Sequence, residues 1–416
     1  MNVLRCGRLI DGCGTPPVSD MAIIMEEGVI TAIEPCSSPA ANGSDIVDLS
    51  DATIIPGFVD AHVHLLFGAA ADHRATRRAV EEASASDLAL AGMNNAAECL
   101  IGGVTTVRDC GDRDFITLGI RDAIAANRIA GPRILAAGPP LTTPGGHLSW
   151  CGLVVDSQDA IRKAIRASAR RGVDLIKVVV SGGNMTEGSD RLGVQYRFDE
   201  LATAVAEAHR LGLPVAAHAL NTESIRLAHR AGVDTIEHCT WLSGQGLPVV
   251  DHSLAESLAR SGASVTITMS GIHRIMRPGL RAGDTQRLRD ALETSPTGSL
   301  IGDFAWAREM RSLGARMCVA SDAGVRFTSF RDFDETIECG MSALGVGICG
   351  AIAMVTLRAA EAIGVAEDAG SIEVGKSADF VVLDQLVEVS AEHLGPIREV
   401  WRSGKVVARR GALVPN

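Results

Sequence analysis

The 416-residue sequence has no run of basic residues, and its formal net charge is −11. A surface without a cationic stripe has no electrostatic means of holding nucleic acid or an anionic membrane, which leaves a small molecule as the expected partner. No stretch approaches the ~20 consecutive apolar residues needed to span a bilayer. The opening MNVLRCGRLIDG also lacks the continuous apolar core of a leader peptide. A cytoplasmic protein is the expectation. The ten cysteines form no CxxC pair and are spread from Cys6 to Cys349, so they read as reduced, buried thiols rather than a disulfide frame. Lysine is scarce, with Lys163, Lys177, Lys376 and Lys405 standing against 35 arginines. A lysine kept in that background marks a candidate position where a guanidinium cannot serve. No GxGxxG follows the first apolar run of the central region, which counts against a dinucleotide-binding open sheet.

What is present is the balance of a folded globular chain, 46% hydrophobic and 21% charged. Residues 1–55 and 370–416 are short apolar runs broken by glycine and aspartate, such as MAIIMEEGVITAIEP and GSIEVGKSADFVVLD. These are strand and turn signals, and they predict a small β-sandwich built from both chain ends, residues 1–55 with 366–416. Between them, eight short apolar runs alternate with Ala/Arg/Glu-rich stretches of helical spacing. The runs fall at 58–64, 104–109, 133–138, 174–180, 214–218, 234–238, 263–268 and 315–322. Near-continuous apolarity marks strands buried on both faces, as parallel strands are. Eight such βα units over residues 56–365 predict an α/β fold of the (β/α)8 TIM-barrel type, with a doubly wound sheet as the runner-up.

The chemistry-bearing residues fall where such a barrel gathers its active site. His62 and His64 form HxH at the end of the first run, and side chains two apart on a strand share a face. Lys177 lies in the fourth run, His218 ends the fifth, His238 the sixth and Asp322 the eighth. Each has an ordinary reading alone: a strand-edge cation, hydrogen-bonded core histidines, a helix N-cap. Together they place metal-competent side chains at apolar strand ends, where burial without a cation to satisfy them would be costly. A metal site is the stronger reading.

The sequence resembles the metal-dependent amidohydrolase superfamily along nearly its whole length. The resemblance rests on IIPGFVDAHVH (54–64), GVTTVRD (103–109), IKVVVSGG (176–183), AAHALNTESI (216–225), GVDTIEHC (232–239), ASDAG (320–324) and GSIEVGKSADFVVLD (370–384). It is nearest to the binuclear branch of prolidase-type and Xaa-Arg dipeptidases. That resemblance implies two divalent ions, zinc first among them. His62, His64 and Asp322 would hold one ion and His218 and His238 the other, with a carboxylated Lys177, formed from carbon dioxide or bicarbonate, bridging both. It further implies hydrolysis of an amide-type bond of a dipeptide, N-acyl amino acid, aryl amide or carbamate by a hydroxide bridging the ions, with Asp322 shuttling the proton. A lyase or a mononuclear deaminase on the same barrel is the alternative. His147 in TPGGHLSW matches a substrate-contacting segment of those dipeptidases and is the first candidate for catalytic or substrate contact. Tyr196, Leu220 and Arg326 are further substrate-contact candidates; Leu220 stands where the relatives carry a polar residue, which favours an apolar ligand group. Arg274, Arg277 and Arg331 also lie on loops where an arginine could pair with a substrate carboxylate. Trp150, Met185, Met269, Met276, Phe327 and Phe330 on predicted loops suit an apolar pocket. Cys110 and Cys239 read as packing. Self-association is an expectation carried by the resemblance alone.

Overall fold

The computed structural model describes residues 2–42, 45–268 and 305–415. Arg274, Arg277, Met269 and Met276 lie outside them. The chain ends form β1 (Asn2–Leu9), β2 (Val18–Glu26), β3 (Val29–Pro35) and β4 (Asp45–Pro56). The central region supplies β5 (Phe58–Val63), β6 (Val104–Asp109), β7 (Arg133–Ala136), β8 (Leu141–Thr142), β9 (Leu153–Val154), β10 (Ile176–Val179), β11 (Val215–Asn221), β12 (Thr235–Leu242), β13 (Ser264–Ile267) and β14 (Arg316–Val319). The chain returns through β15 (Phe380–Leu383), β16 (Ile397–Arg402), β17 (Lys405–Arg409) and β18 (Ala412–Leu413).

Strands from the two ends join in one eight-stranded sheet of order β18-β17-β16-β15-β4-β1-β2-β3. Twelve-residue β4 pairs with β1 along most of its length and with β15 at its last residues, so it belongs to both halves. The sequence suggested two sheets; the shared β4 makes them one. The sheet curls until the β2–β3 hairpin reaches the segment before β15, where Ile30 N–H donates to the Lys376 carbonyl at 2.9 Å. Leu4, Ile23, Ile54, Phe380 and Trp401 fill the space inside the curl.

The central strands are parallel and lie in two arcs. One runs β5-β6-β7, the other β14-β13-β12-β11-β10-β8-β9. Every residue of β5, β6 and β10 is buried, as two covered faces require. The arcs approach at both ends. His64 N–H donates to the Ala323 carbonyl at 2.8 Å and Asp322 N–H to the His62 carbonyl at 2.9 Å, while Asp174 N–H donates to the Ala136 carbonyl at 2.9 Å.

Two repeated corners set the register of strands that carry the site. The helix Gln158–Arg171 starts on Ser157, whose hydroxyl accepts from Ala160 N–H, and stops at Gly172 with φ 82°. The helix Thr222–Ala231 starts on Asn221 and stops at Gly232 with φ 81°. Each glycine takes the left-handed conformation that ends a helix without a Cβ penalty. A buried valine and an aspartate follow in both. Asp174 accepts from Ala136 N–H at 2.8 Å and Asp234 from Val215 N–H at 2.7 Å, which ties β10 to β7 and β12 to β11. The glycine pair at 345–347 is likewise a helix–helix turn, closing Asp334–Leu344 and opening Ile348–Met354. All ten cysteines are free. Among the described residues no single helix is long and apolar enough to cross a membrane.

Candidate functional site

The carboxyl ends of the parallel strands bring five of the six expected ligand side chains within reach of one another. His62 and His64 project from the end of β5 with ring centroids 5.4 Å apart. The His62 and His238 rings are 5.0 Å apart, and those of His218 and His238 4.6 Å. Asp322 closes the group: its Oδ1 is 3.6 Å from His62 Nε2 and 3.7 Å from His64 Nε2, and its Oδ2 is 4.0 Å from His238 Nδ1. His62, His238 and Asp322 each offer a ligand atom within 4.8 Å of the others. The sixth residue, Lys177, is 2% exposed in β10, and among the described residues its Nζ has no hydrogen-bond partner.

Strand alternation explains His62 and His64; it does not explain β12. On a regular strand Glu237 and His238 would face opposite ways, yet both reach His62. The backbone is left-handed at His238 (φ 69°) and Cys239 (φ 48°), which breaks the alternation. Asp322 is also left-handed, φ 59°. Such conformations in non-glycine residues are uncommon and persist where surrounding contacts hold them.

Protein acceptors occupy one nitrogen on three of the imidazoles. His62 Nδ1–H donates to Glu237 Oε2 at 2.7 Å, His64 Nδ1–H to the Gly111 carbonyl at 3.0 Å and His218 Nε2–H to the Gly182 carbonyl at 3.2 Å. His238 Nδ1 pairs with the Thr268 hydroxyl. Among the described residues this leaves the opposite nitrogen of each ring without a hydrogen bond, which is how metal-ligating histidines are oriented. Burial pushes all four imidazoles below their usual pKa, that of His64 to about 4, so they are neutral and able to coordinate. Burial also pushes the Asp322 carboxyl up to about 7. Among the described residues Asp322 Oδ1 is buried without a hydrogen-bond partner. A neutral-histidine set around a buried carboxylate oxygen left without a partner among the described residues fits divalent cations and would be costly without them.

Several supporting residues escaped the sequence reading. Glu237 is fully buried and accepts from Arg108 Nη2 at 2.7 Å and from the Thr235 hydroxyl at 2.6 Å as well as from His62. The Arg108 charge is the main influence holding the Glu237 carboxyl well below its usual range against desolvation. Asp60 accepts from Ser321 N–H at 3.0 Å and from the Ser321 hydroxyl, and so clamps the residue before Asp322 to β5. Asp109 accepts from Leu65 N–H at 2.7 Å and Gly111 N–H at 3.1 Å, fixing the carbonyl that orients His64.

The other candidates separate. His147 packs on His218 with ring centroids 4.8 Å apart, its Nδ1 is buried without a hydrogen-bond partner, and its main-chain N–H donates to Gln195 Oε1 at 2.6 Å. Leu220 is half-buried two residues past His218, its carbonyl accepting from the Thr240 hydroxyl. Tyr196 is not brought to the cluster. It is 4% exposed and its hydroxyl donates to the Val155 carbonyl at 3.1 Å, which commits the phenol to packing. Phe67 stacks on His64 at 4.6 Å and Trp150 lies 5.3 Å beyond it, giving the site an apolar flank. Cys110 and Cys239 are buried, and burial pushes the Cys110 thiol up to about 12, so both are inert packing. A separate cavity of about 970 Å³ opens at the other end of the strands, beside Val215, Thr235, Ser264 and Arg316; it contains none of the cluster.

A sequence profile for the Amidohydrolase family matches residues 53–408. Ochratoxinase of Aspergillus niger is 23% identical over 445 aligned residues, covering 98% of this chain and 86% of its own. Imidazolonepropionase of Rhizobium rhizogenes is 23% identical over 408, covering 89% of this chain and 88% of its own. Among solved structures, a Xaa-Pro dipeptidase with methionine bound in its active site superimposes with a TM-score of 0.80 at 26% identity, covering 97% of this chain and 99% of the other. With the profile spanning most of the sequence and the strand ends carrying the expected histidines, the chain belongs to the Amidohydrolase family, in its prolidase-like branch, and is a hydrolase of carbon–nitrogen bonds.

Proposed function

We propose that this enzyme hydrolyses the amide bond of a small molecule of the dipeptide or N-acyl amino acid class, at a pair of divalent ions held where the two arcs close as a (β/α)8 barrel. In this reading residues 56–365 form the barrel domain, and residues 1–55 with 366–416 form the flanking β-domain. The carrying observation is the convergence of His62, His64, His218, His238 and Asp322 with Lys177 Nζ buried and unpaired. His62, His64 and Asp322 would hold one ion and His218 and His238 the other, with carboxylated Lys177 serving both. Carboxylation removes the cost of a buried ammonium without an acceptor, because it converts a cation into an anionic oxygen donor. Zinc suits the neutral imidazoles and carboxylate oxygens. Such ions supply polarisation of a substrate carbonyl and a water of lowered pKa.

The chain's own residues do the rest. Asp322 accepts the proton of the attacking water and delivers it to the leaving nitrogen. His147 holds the substrate carbonyl side, with Trp150 and Leu220 offering apolar contact. Glu237 keeps the His62 ring in place. The test is hydrolysis of dipeptides, N-acyl amino acids and aryl amides in ¹⁸O-labelled water after metal analysis of the isolated protein. Label in a carboxylate product with two ions per chain supports the reading. Release of carbon dioxide without label, or release of ammonia with one ion, replaces it with a lyase or a deaminase.

Two variants probe the supporting residues. Glu237→Gln is expected to weaken metal affinity by about 10–100-fold, since His62 loses the carboxylate that orients it. It also leaves Arg108 buried beside a neutral partner, at a cost of about 3–5 kcal/mol. Equilibrium dialysis and thermal melting measure the two effects, and unchanged metal affinity would remove the orienting role. Gly183→Ala places a Cβ 2.6 Å from His147 Nε2, so the imidazole must move. Turnover is expected to fall roughly 100-fold, the scale of a 1 Å misplacement at a reacting centre. Metal content should be unaffected, and full turnover would exclude His147 from the reaction.

A further inference from the structure

The arginines that could meet a substrate carboxylate differ in what the fold leaves them free to do. Arg331 is committed: its Nη2 donates to the Gly411 carbonyl at 2.9 Å and its Nη1 lies 3.8 Å from Glu98. Arg326 is not. It is half-buried, and among the described residues its buried Nε has no hydrogen-bond partner and no carboxylate pairs with its guanidinium, which lies over the Phe327 ring at 4.8 Å.

Arg326 stands four residues beyond Asp322, on a loop sewn to the loop that follows His64. Ala69 N–H donates to the Gly324 carbonyl at 2.8 Å and Phe327 N–H to the Ala70 carbonyl at 3.3 Å. The second loop leads directly to His73, whose Nδ1 is also buried without a partner. Burial, with the Arg326 charge next, pushes the His73 imidazole down to about 4, so it is neutral and able to donate one hydrogen bond. The next residue, Arg74, donates from Nη2 to Glu187 Oε1 at 3.2 Å, and the neighbouring Thr186 hydroxyl accepts from Leu148 N–H at 2.9 Å, so the chain at His73 reaches the segment that carries His147. A permanent cation and a neutral donor therefore stand on joined loops that follow His64 and Asp322 at the strand ends, each with a buried nitrogen unpartnered among the described residues, in a protein that otherwise pairs many of its arginines with carboxylates. Guanidinium with a second donor is the arrangement that grips a carboxylate.

We infer that Arg326, with His73 beside it, binds a carboxylate group of the substrate, so that the enzyme selects amides bearing a free carboxylate over neutral amides, anilides and carbamates. This rests on the hydrolase reading above for its setting. It adds the residues that read the substrate's carboxylate.

The experiment is calorimetric titration of the metal-loaded enzyme with N-acetyl-L-phenylalanine and with N-acetyl-L-phenylalaninamide. The acid is expected to bind about 10–100-fold tighter than the amide, the worth of a charge-assisted hydrogen bond to a buried partner. Arg326→Gln should abolish the difference, Arg326→Lys should restore part of it, and His73→Phe should reduce it. Arg331→Gln, which removes a neighbouring charge already committed elsewhere, should leave it intact. Equal binding of acid and amide, binding of neither, or a preference that survives in Arg326→Gln overturns the inference. The outcomes are separable from those of the hydrolase reading. An acid preference lost in Arg326→Gln without hydrolysis of any amide keeps the carboxylate site and removes the reaction. Hydrolysis in labelled water without an acid preference does the reverse.

Discussion

Lys177→Ala is expected to strip the enzyme of metal and lower turnover by more than about 100-fold, because even residues that merely orient a ligand are worth 10–100-fold. The amino group of Lys177 is buried in β10 at 2% exposure, and among the described residues it has no hydrogen-bond partner. In the proposed reading the side chain changes its chemistry there, since an unpaired buried charge is among the costliest things a core can hold. Arginine, abundant everywhere else in the chain, cannot take up carbon dioxide. Two measurements check the argument independently of turnover. Elemental analysis should find two ions per chain in the wild type and a reduced content in the variant. With ¹³C-labelled bicarbonate, a carbamate resonance should appear in the wild type and be missing in Lys177→Ala. Full metal content and full activity in the variant would leave Lys177 a structural residue and the site without its bridge.

How much of this was readable from sequence depends on whether a regular backbone rule applied. Eight of the ten central strands were legible because burial on both faces writes itself as continuous apolarity, and β5, β6 and β10 are indeed wholly buried, whereas the two-residue β8 and β9 were too short to show a pattern. His62 and His64 were legible because alternation puts them on one face. Glu237 was not, since alternation turns it away from its neighbour His238, and only the left-handed backbone at 238–239 brings both to His62. Arg108 and Asp60 were hidden for a related reason: each acts on a partner far along the chain, Glu237 and Ser321, and no local pattern announces such a pairing. Gly183 carries no side chain to read, although the space it leaves decides where His147 sits. Tyr196 was placed near the site by its loop and removed from it by the Val155 carbonyl, whose claim on the hydroxyl no spacing rule reveals. The single terminal sheet depended on the length of β4, which short-range turn signals did not convey.

Asp322→Asn should separate the two duties assigned to Asp322. Asparagine has nearly the same shape and, like aspartate, tolerates the left-handed conformation that the backbone adopts there at φ 59°. The main-chain bond from residue 322 to the His62 carbonyl and the Asp60 clamp on Ser321 are untouched, so the fold and the seam between β5 and β14 should survive. The amide oxygen can still approach His62 and His64 from the position now held by Oδ1, 3.6 and 3.7 Å from their Nε2 atoms. What asparagine cannot do is take a proton from water and return it to a leaving nitrogen. Turnover is therefore expected to fall by about 10²–10⁴-fold, the range of general acid–base assistance, while metal content declines far less than in Lys177→Ala. Steady-state rates with elemental analysis of the same samples measure both. A variant that keeps more than about a tenth of the wild-type rate would move the proton transfer to another group. His147 would then be the next residue to test, since it is the remaining buried imidazole at the cluster with a nitrogen free of any hydrogen bond.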